Sequence, residues 1–305
     1  MQIRIATRKS VLALWQAEHV AAELRRHAPD CVVELVPLST KGDEVLDRSL
    51  QKIGGKGLFI KELEIAMQDG RADIAVHSMK DVPAEMPAGF CIAAILERGN
   101  PADALLGRNN ATLDTLPQGA IVGSSSLRRQ AQVLAMRPDV TVKPLRGNVQ
   151  TRIAKLDAGE YDAIVLAAAG LERLGLDARI SEIMATDRML PAAGQGVIGI
   201  ECLGKRDDLR ELLQSLEHEP TATTTRAERA VAHRLEASCH SPVASFAVLD
   251  GDQLSLEALV AAANGSEILR LRRSGPASEA AQIGTALADE LLAAGAARLL
   301  AEPAA

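Results

Sequence analysis

Lys80 and Asp81 stand side by side where the apolar run in "DIAVHSMKDVP", residues 73–83, gives way to a proline. A carboxylate kept among cations stays ionised, because neighbouring positive charge favours the charged form. In that state Asp81 can stabilise a developing positive charge, hold a ligand N–H, or pass a proton if partly desolvated. Lys80 can bind an acidic group or form an imine with a carbonyl. The same residues also suit an ordinary surface turn with His77 in a structural role, and residue type alone leaves both readings open.

A second cluster is cationic. "VGSSSLRRQ" sets Ser124, Ser125 and Ser126 between a strand and a helix and follows them with Arg128 and Arg129. Free backbone N–H groups and hydroxyls at a helix start form an anion site. "LRGNVQTR" adds Arg146 and Arg152, and a planar guanidinium grips carboxylates through paired hydrogen bonds. Any one of them can be a solvated surface arginine. Several at strand ends and helix starts, in a chain of net charge -6, point to a small anion bearing carboxylates or phosphates. Cys239 lies in "RLEASCHSPV", where a helix gives way to a loop. The C-terminal end of a helix does not lower a thiol pKa, so an inert buried thiol stands beside the reactive reading.

These groups need a scaffold. "IRIAT" and "CVVELVPL" predict strands, with "SVLALWQAEHVAAELRRH" an amphipathic helix between them. "LFIKELEIAMQDG" predicts a helix with Phe59, Leu63 and Met67 on one face and Gly70 in the C-terminal position. The rhythm implies a largely parallel sheet with crossover helices. After "RGNPADALL" a similar series begins: strand "GAIVG", a capped helix in "SSSLRRQAQVLAMRP", strand "VTVKPL", then helix, turn and strand in "NVQTRIAKLDAGEYDAIVLAAAG". "LEIAMQDGRADIAV" and "RIAKLDAGEYDAIV" share the order helix, Gly, two residues, Asp, apolar strand. Duplication and ordinary α/β grammar both explain that echo. Two such units facing each other would make a cleft at the carboxyl ends of their strands. Residues from about 216 onward read as a smaller α+β domain around "FAVLDGDQLSLEALVAA" and a last helix.

The 305 residues and 47% apolar content support a substantial core and two or three domains. The acidic balance argues against a nucleic-acid partner. No apolar run approaches the roughly 20 residues of a spanning helix. The N-terminus lacks the order of a signal peptide, so a soluble, intracellular protein is expected. Cys31, Cys91, Cys202 and Cys239 form no CxxC pattern. No disulfide framework is expected, and the first three read as small buried hydrophobes. "GGKGLF", with Lys56, matches no nucleotide loop and reads as a loop able to close over a site. The six histidines show no ligand spacing, and no metal is expected.

"RIATRKSVLALWQ", "KGDEVLD", "GGKGLFIKELE", "DIAVHSMKDVP", "SSSLRRQAQ", "LRGNVQTR", "LDAGEYDAIVLAAAGLERLG", "LPAAGQGVIGIEC" and "AERA…LEASCHSPV" together resemble porphobilinogen deaminase, also called hydroxymethylbilane synthase. The likeness runs in order over nearly the whole chain. It implies two similar α/β lobes of periplasmic-binding-protein type around a cleft, plus a small C-terminal α+β domain. The corresponding domains are residues 1–96 with 197–215, residues 97–196, and residues 216–305.

The resemblance also implies a transferase of tetrapyrrole and heme biosynthesis. Such an enzyme condenses four porphobilinogen molecules head to tail, releasing ammonia each time, on a dipyrromethane cofactor held by a thioether. Linear hydroxymethylbilane then leaves by hydrolysis while the cofactor stays. The matching thiol is Cys239. Loss of ammonia leaves a positively charged azafulvene, which a carboxylate at Asp81 would stabilise. The implied catalytic residues are Asp81, Lys80, Arg8, Arg146 and Arg152. Cys239, Lys80, Asp81, Ser124, Ser126, Arg128, Arg129 and Arg152 would hold the cofactor. Arg8, Ser10, Phe59, Arg146, Arg152 and Arg173 would meet the substrate and growing oligopyrrole, with Phe59 and the Lys56 loop covering them. A cytoplasmic monomer without membrane or nucleic-acid partners is implied, passing its product to the next enzyme of the tetrapyrrole pathway.

Three positions depart from the family's pattern. Val11 stands where proline is common, Ser124 replaces threonine and keeps the hydroxyl, and Ala237–Ser238 replace a Gly-Gly before Cys239. The last change stiffens the approach to the thiol. A two-lobed receptor for small anions would bind without needing Cys239. A thiol-dependent acyl transferase would need a base and an oxyanion site against Cys239, which nothing in the sequence order supplies.

Overall fold

The computed structural model describes residues 1–40, 60–238 and 240–301. The expectations for Lys56, Phe59 and Cys239 lie outside the described residues. The chain divides into two compact units, Met1–Gly99 with Val197–Ala222, and Asn100–Gly196 with Thr223–Ala305.

In the first unit, β1 (Gln2–Arg8), β2 (Val32–Leu38), β3 (Ile74–Ser78), β4 (Phe90–Ile95) and β10 (Ile198–Leu203) form a sheet in the order β2-β1-β3-β10-β4. Alternation along the strands sends Ile3, Ile5, Ile74 and Val76 to one core and Ala6 and Ala75 to another. Helix α1 (Val11–His27) covers the first with a buried stripe of Ala17, Val20, Ala21 and Leu24. Its start is capped by Ser10, whose Oγ accepts from the Ala13 N–H at 3.4 Å, and Arg25, Arg26 and His27 complement its negative end. Helix α2 (Lys61–Gln68) covers the other face with Leu63, Ala66 and Met67. Helix α6 (Asp207–Gln214) adds Leu209 and Leu213 to the α1 side.

In the second unit, β5 (Asp103–Gly107), β6 (Ile121–Gly123), β7 (Thr141–Lys143), β8 (Ala163–Ala167) and β9 (Glu182–Met184) form a sheet in the order β7-β6-β8-β5-β9. Its helices are α3 (Leu127–Met136), α4 (Val149–Asp157) and α5 (Ala168–Arg173). Farther along, β11 (Val243–Asp250), β12 (Gln253–Ala261) and β13 (Ile268–Pro276) form an antiparallel meander. Helices α7 (Glu219–Arg234), α8 (Ala280–Ala293) and α9 (Ala296–Ala301) pack with it around a separate core that includes Val231, Leu256, Ile283, Leu287 and Leu299.

The strands of the first hundred residues all run in one direction, as a largely parallel sheet requires, but each of the two five-stranded sheets also holds one reversed strand that the sequence did not show. β1 is parallel to β2 and β3, and β6 is parallel to β7 and β8. β10, however, runs against β3 and β4, and β5 runs against β8 and β9. Both antiparallel strands are mostly buried apolar runs. A strand covered on both faces reads the same in either direction, so local pattern cannot reveal the reversal. The two sheets thus share one pattern of strand directions, and the echoing segments of the sequence supply β3 and β8, which hold the same central place.

Candidate active site

In the first unit the polar residues gather at the carboxyl ends of the adjacent parallel strands β1 and β3. Arg8 ends β1 and Ser10 follows it, while Lys80 and Asp81 occupy a single 3-10 turn, Met79–Asp81, directly after β3. That turn is fastened from several sides. The Met79 N–H donates to the Val197 carbonyl at 3.0 Å, and the Val82 N–H donates to the Met79 carbonyl at 3.2 Å. The Met79 side chain is buried beside Gly199, where a Cβ would lie 2.1 Å from its Sδ. One residue earlier, Gln16 of α1 donates to Ser78 Oγ at 2.8 Å. His77 Nε2 and Glu201 Oε2 are 2.7 Å apart, both buried, joining β3 to β10. Within this frame the Asp81 side chain is exposed and has no hydrogen bond or ion pair to another described residue.

In the second unit the expected residues lie at the carboxyl ends of β6, β7 and β8. Ser124–Ser126 follow β6, Arg146 follows β7, Arg152 sits in the early part of α4, and Arg173 closes α5 after β8. The serines organise the loop as well as facing it. Ser126 caps α3 by accepting from the Arg129 N–H at 3.4 Å, and Ser124 Oγ accepts from the Ser126 N–H at 3.2 Å. Asn148 caps α4, accepting from the Thr151 N–H at 2.9 Å, after Gly147 has turned the chain with φ 112°. Arg152 Nε donates to the Gly147 carbonyl at 2.8 Å, and Arg173 donates to the Gly196 carbonyl at 2.7 Å. Burial lowers the Arg173 pKa, yet a guanidinium so placed remains a cation.

Arg128 and Arg129 are placed differently from solvent-facing anion grips. Both are buried, and both close on Asp103, the first residue of β5. Arg128 donates to the two Asp103 carboxylate oxygens at 2.7 and 3.2 Å, and Arg129 donates to Oδ1 through Nε at 2.9 Å and a terminal nitrogen at 2.7 Å. Gln195 adds a 3.0 Å hydrogen bond to the same carboxylate. Burial alone would raise the Asp103 pKa, but the two guanidiniums overcome it and hold the carboxyl well below its usual range. Two cations on one carboxylate leave a net positive charge beneath the serine loop.

Sequence reading passed over Asp103, although a carboxylate opening the apolar strand "DALLG" needs cationic partners if it is to be buried. It also passed over Arg229 on α7, whose pKa burial lowers. His240 adds a link across the second unit: burial and then the charge of Arg146 lower its pKa. Arg146 is therefore felt at the residue next to Cys239, which itself is outside the described set. Among the described residues no group of His, Cys, Asp and Glu is arranged to hold a metal ion, and no helix is long and apolar enough to cross a membrane.

Comparison with solved structures finds distant likeness to the periplasmic VFT2 domain of BvgS from Bordetella pertussis, with a TM-score of 0.43 and 14% identity over 70% of this chain and 86% of that one. The periplasmic aliphatic sulphonate binding protein SsuA from Escherichia coli gives a TM-score of 0.42 and 13% identity over 77% of this chain and 70% of that one. Family models are far more specific. Residues 3–211 match "Porphobilinogen deaminase, dipyromethane cofactor binding domain", and residues 222–293 match "Porphobilinogen deaminase, C-terminal domain". With both models matched in order over most of its length, the chain belongs to the porphobilinogen deaminase family, the hydroxymethylbilane synthases that condense porphobilinogen on a dipyrromethane cofactor.

Proposed function

We propose that Asp81 is the catalytic carboxylate of the condensation, accompanied by Lys80, Arg8, Arg146 and Arg152. The observation that carries this reading is the contrast within one turn: Met79 is locked by backbone and side-chain packing, while the Asp81 carboxylate two residues later is exposed and unengaged among the described residues. Departure of ammonia from porphobilinogen develops positive charge on its pyrrole. Asp81 faces that charge and accepts the pyrrole N–H, an interaction stronger in the transition state than in the ground state. The same carboxylate can hold the proton that the leaving amine takes. Lys80, on the same turn, binds an acidic group of the pyrroles.

The donor set suits the cofactor. A dipyrromethane offers carboxylates and pyrrole N–H groups, and the two strand-end clusters provide guanidiniums for the first and an acceptor for the second. When bound, the dipyrromethane supplies the free pyrrole carbon that begins the chain. Cys239 is its anchor. Lys80, Asp81, Ser124, Ser126 and Arg152 hold it, and Arg128 and Arg129 contribute the positive charge of their cluster with Asp103. Arg8, Ser10, Arg146, Arg152 and Arg173 receive the substrate's acidic side chains, and Phe59 covers them.

The same reading divides the chain into residues 1–96 with 197–215, residues 97–196, and residues 216–305. The separate core of the three-stranded meander supports the last of these. The enzyme acts as a cytoplasmic monomer and passes hydroxymethylbilane to the next tetrapyrrole enzyme.

The test is intact mass under denaturing conditions, on protein purified from cells that make porphobilinogen, beside the Cys239→Ala variant. An added mass of two linked pyrroles, absent from the variant, is expected. A bare chain that gains no adduct on incubation with porphobilinogen would overturn the anchor. For Asp81→Ala we expect a folded protein whose product formation falls on the order of 100- to 1,000-fold. Unchanged turnover removes Asp81 from the mechanism.

A further inference from the structure

Cys91 of β4 and Cys202 of β10 are directly opposed in the antiparallel ladder, with their Sγ atoms 3.8 Å apart. The opposition depends on an irregularity. Ile200 pairs with Ala94, but Glu201 pairs with Ile92, so the register shifts between Ile200 and Glu201 and Ala93 is bulged out. Continued without that shift, the ladder would set Cys202 against Ile92 and Cys91 against Leu203. Opposed residues of an antiparallel pair have Cα atoms roughly 4.5–5.5 Å apart, within the roughly 4.4–6.8 Å that a disulfide spans. Side-chain rotation can therefore close the remaining gap between the sulfurs without moving the strands. Both cysteines are free thiols here, Cys91 half-buried and Cys202 fully buried in the core between α1 and the sheet.

We propose that Cys91 and Cys202 are a redox-modification site that forms a cross-strand disulfide with low-molecular-weight disulfides as oxidant, stapling β4 to β10. The thiolate of half-buried Cys91 attacks the oxidant, forming a mixed disulfide and releasing one thiolate. The Cys202 thiolate then attacks the Cys91 sulfur, forming the Cys91–Cys202 bond and expelling the second small thiolate. Two protein thiols are oxidised, one small disulfide is reduced to two thiols, and the two protons end on those thiols. Burial, and after it the neighbouring Cys91, push the Cys202 thiol up to about 12. In the mixed disulfide Cys91 no longer adds to that shift, but burial still disfavours the Cys202 thiolate, so the second step is the slow one.

The register also separates this site from the turn that bears Asp81. At one end of β10, Ile198 is opposite Ser78, immediately before the turn, whereas Cys202 is opposite Ile74 at the other end of β3. The staple acts on the cohesion of the sheet and does not involve Cys239.

The experiment uses the full-length, cofactor-loaded enzyme incubated with oxidised glutathione, followed by intact mass and a non-reducing peptide map. We expect loss of two hydrogens, one peptide linking Cys91 to Cys202, and reversal by a reductant. Formation should quicken roughly tenfold per pH unit between about pH 7 and about pH 9. Cys91→Ser, which leaves the buried core intact, should abolish the link, and Cys202→Ala should instead accumulate a glutathione adduct on Cys91. Oxidised wild-type protein should unfold at a higher temperature than reduced protein. A persistent glutathione adduct on wild-type Cys91, a link to any other cysteine, or no thiol consumed would each overturn the proposal. Oxidised protein that unfolds no later than reduced protein would overturn the stapling role.

Discussion

β3 and β8 occupy the same place in two sheets of the same strand directions, and each is entered in the same way. Gly70 and Gly159 turn the chain with φ 68° and 78°. Asp73 then accepts the Arg4 N–H at 2.9 Å, and Asp162 accepts the Ile121 N–H at 2.7 Å, each carboxylate serving the neighbouring strand. The strands differ at their other ends. β3 runs into a fastened turn that presents Asp81, while β8 runs into α5, whose Ala168, Ala169 and Gly170 are buried and whose charged residues, Glu172 and Arg173, come only at its end. The buried charges differ as well: Glu201 shares its carboxylate with one histidine, and Asp103 shares its own with two arginines. A common frame has been given different polar groups, with an exposed carboxylate beside Lys80 and Arg8 in the first sheet and a set of arginines in the second.

The sharpest way to break the comparison is Asp103→Ala. It leaves two buried guanidiniums without their shared partner, and breaking a buried ion pair this way costs about 3–5 kcal/mol. Urea unfolding of the variant and wild type measures it, and a difference below about 1 kcal/mol would refute the clamp's structural weight. The pH dependence has a definite sign. The folded carboxyl lies below the unfolded value of about 3.9, so the stabilisation is present above that value and is lost as pH falls through the lower folded one. The gap between the two proteins should stay level from neutral pH down to about pH 4 and shrink only in stronger acid.

Gly199→Ala tests the first sheet's end at about 1–3 kcal/mol. The corresponding place in the second sheet is Ala104, opposite Leu166 as Gly199 is opposite His77. There a methyl group is accommodated. At Gly199 it would overlap the buried Met79 sulfur and shift the turn that carries Lys80 and Asp81. Steady-state kinetics at a temperature where the variant remains folded should show kcat falling on the order of 10- to 100-fold. A variant destabilised by the expected amount but with unchanged kcat would show that the turn tolerates displacement.

Much of this was legible in the sequence. The helices carry their caps in plain view at Ser10 and Ser126, and the echo that supplies β3 and β8 shows a shared Gly that serves a local turn, with a shared Asp at fixed spacing whose partner is on the neighbouring strand. The strand before Lys80 and the serine loop before Arg128 were legible for the same reason. What escaped was set by partners distant in the chain. The reversal of β5 and β10, the bulge that opposes Cys91 with Cys202, and the use of Arg128 and Arg129 on Asp103 all depend on which strands become neighbours. From the sequence Arg128 reads as a grip for a ligand's anion, and only the fold shows that Asp103 shares it.

The smallest effect concerns the surplus of negative charge in the first unit. Glu64 on α2 is half-buried, and burial followed by the nearby Glu201 raises its pKa. For a carboxyl raised in the folded state, the associated stability is complete below the unfolded pKa of about 4.3 and is lost as pH rises through the folded value. Glu64→Gln keeps the neutral form at every pH. The variant should therefore unfold slightly later than wild type at neutral pH, by a few tenths of a kcal/mol after allowance for solvent screening. Near pH ~3.5 both proteins carry a neutral group there and the difference should disappear. Thermal unfolding at the two pH values separates this from a packing effect, because a gain from packing would persist in acid. A gain that persists would mean that the contrast between the two buried carboxylates, Glu201 and Asp103, lies in their own partners and not in the charge gathered around them.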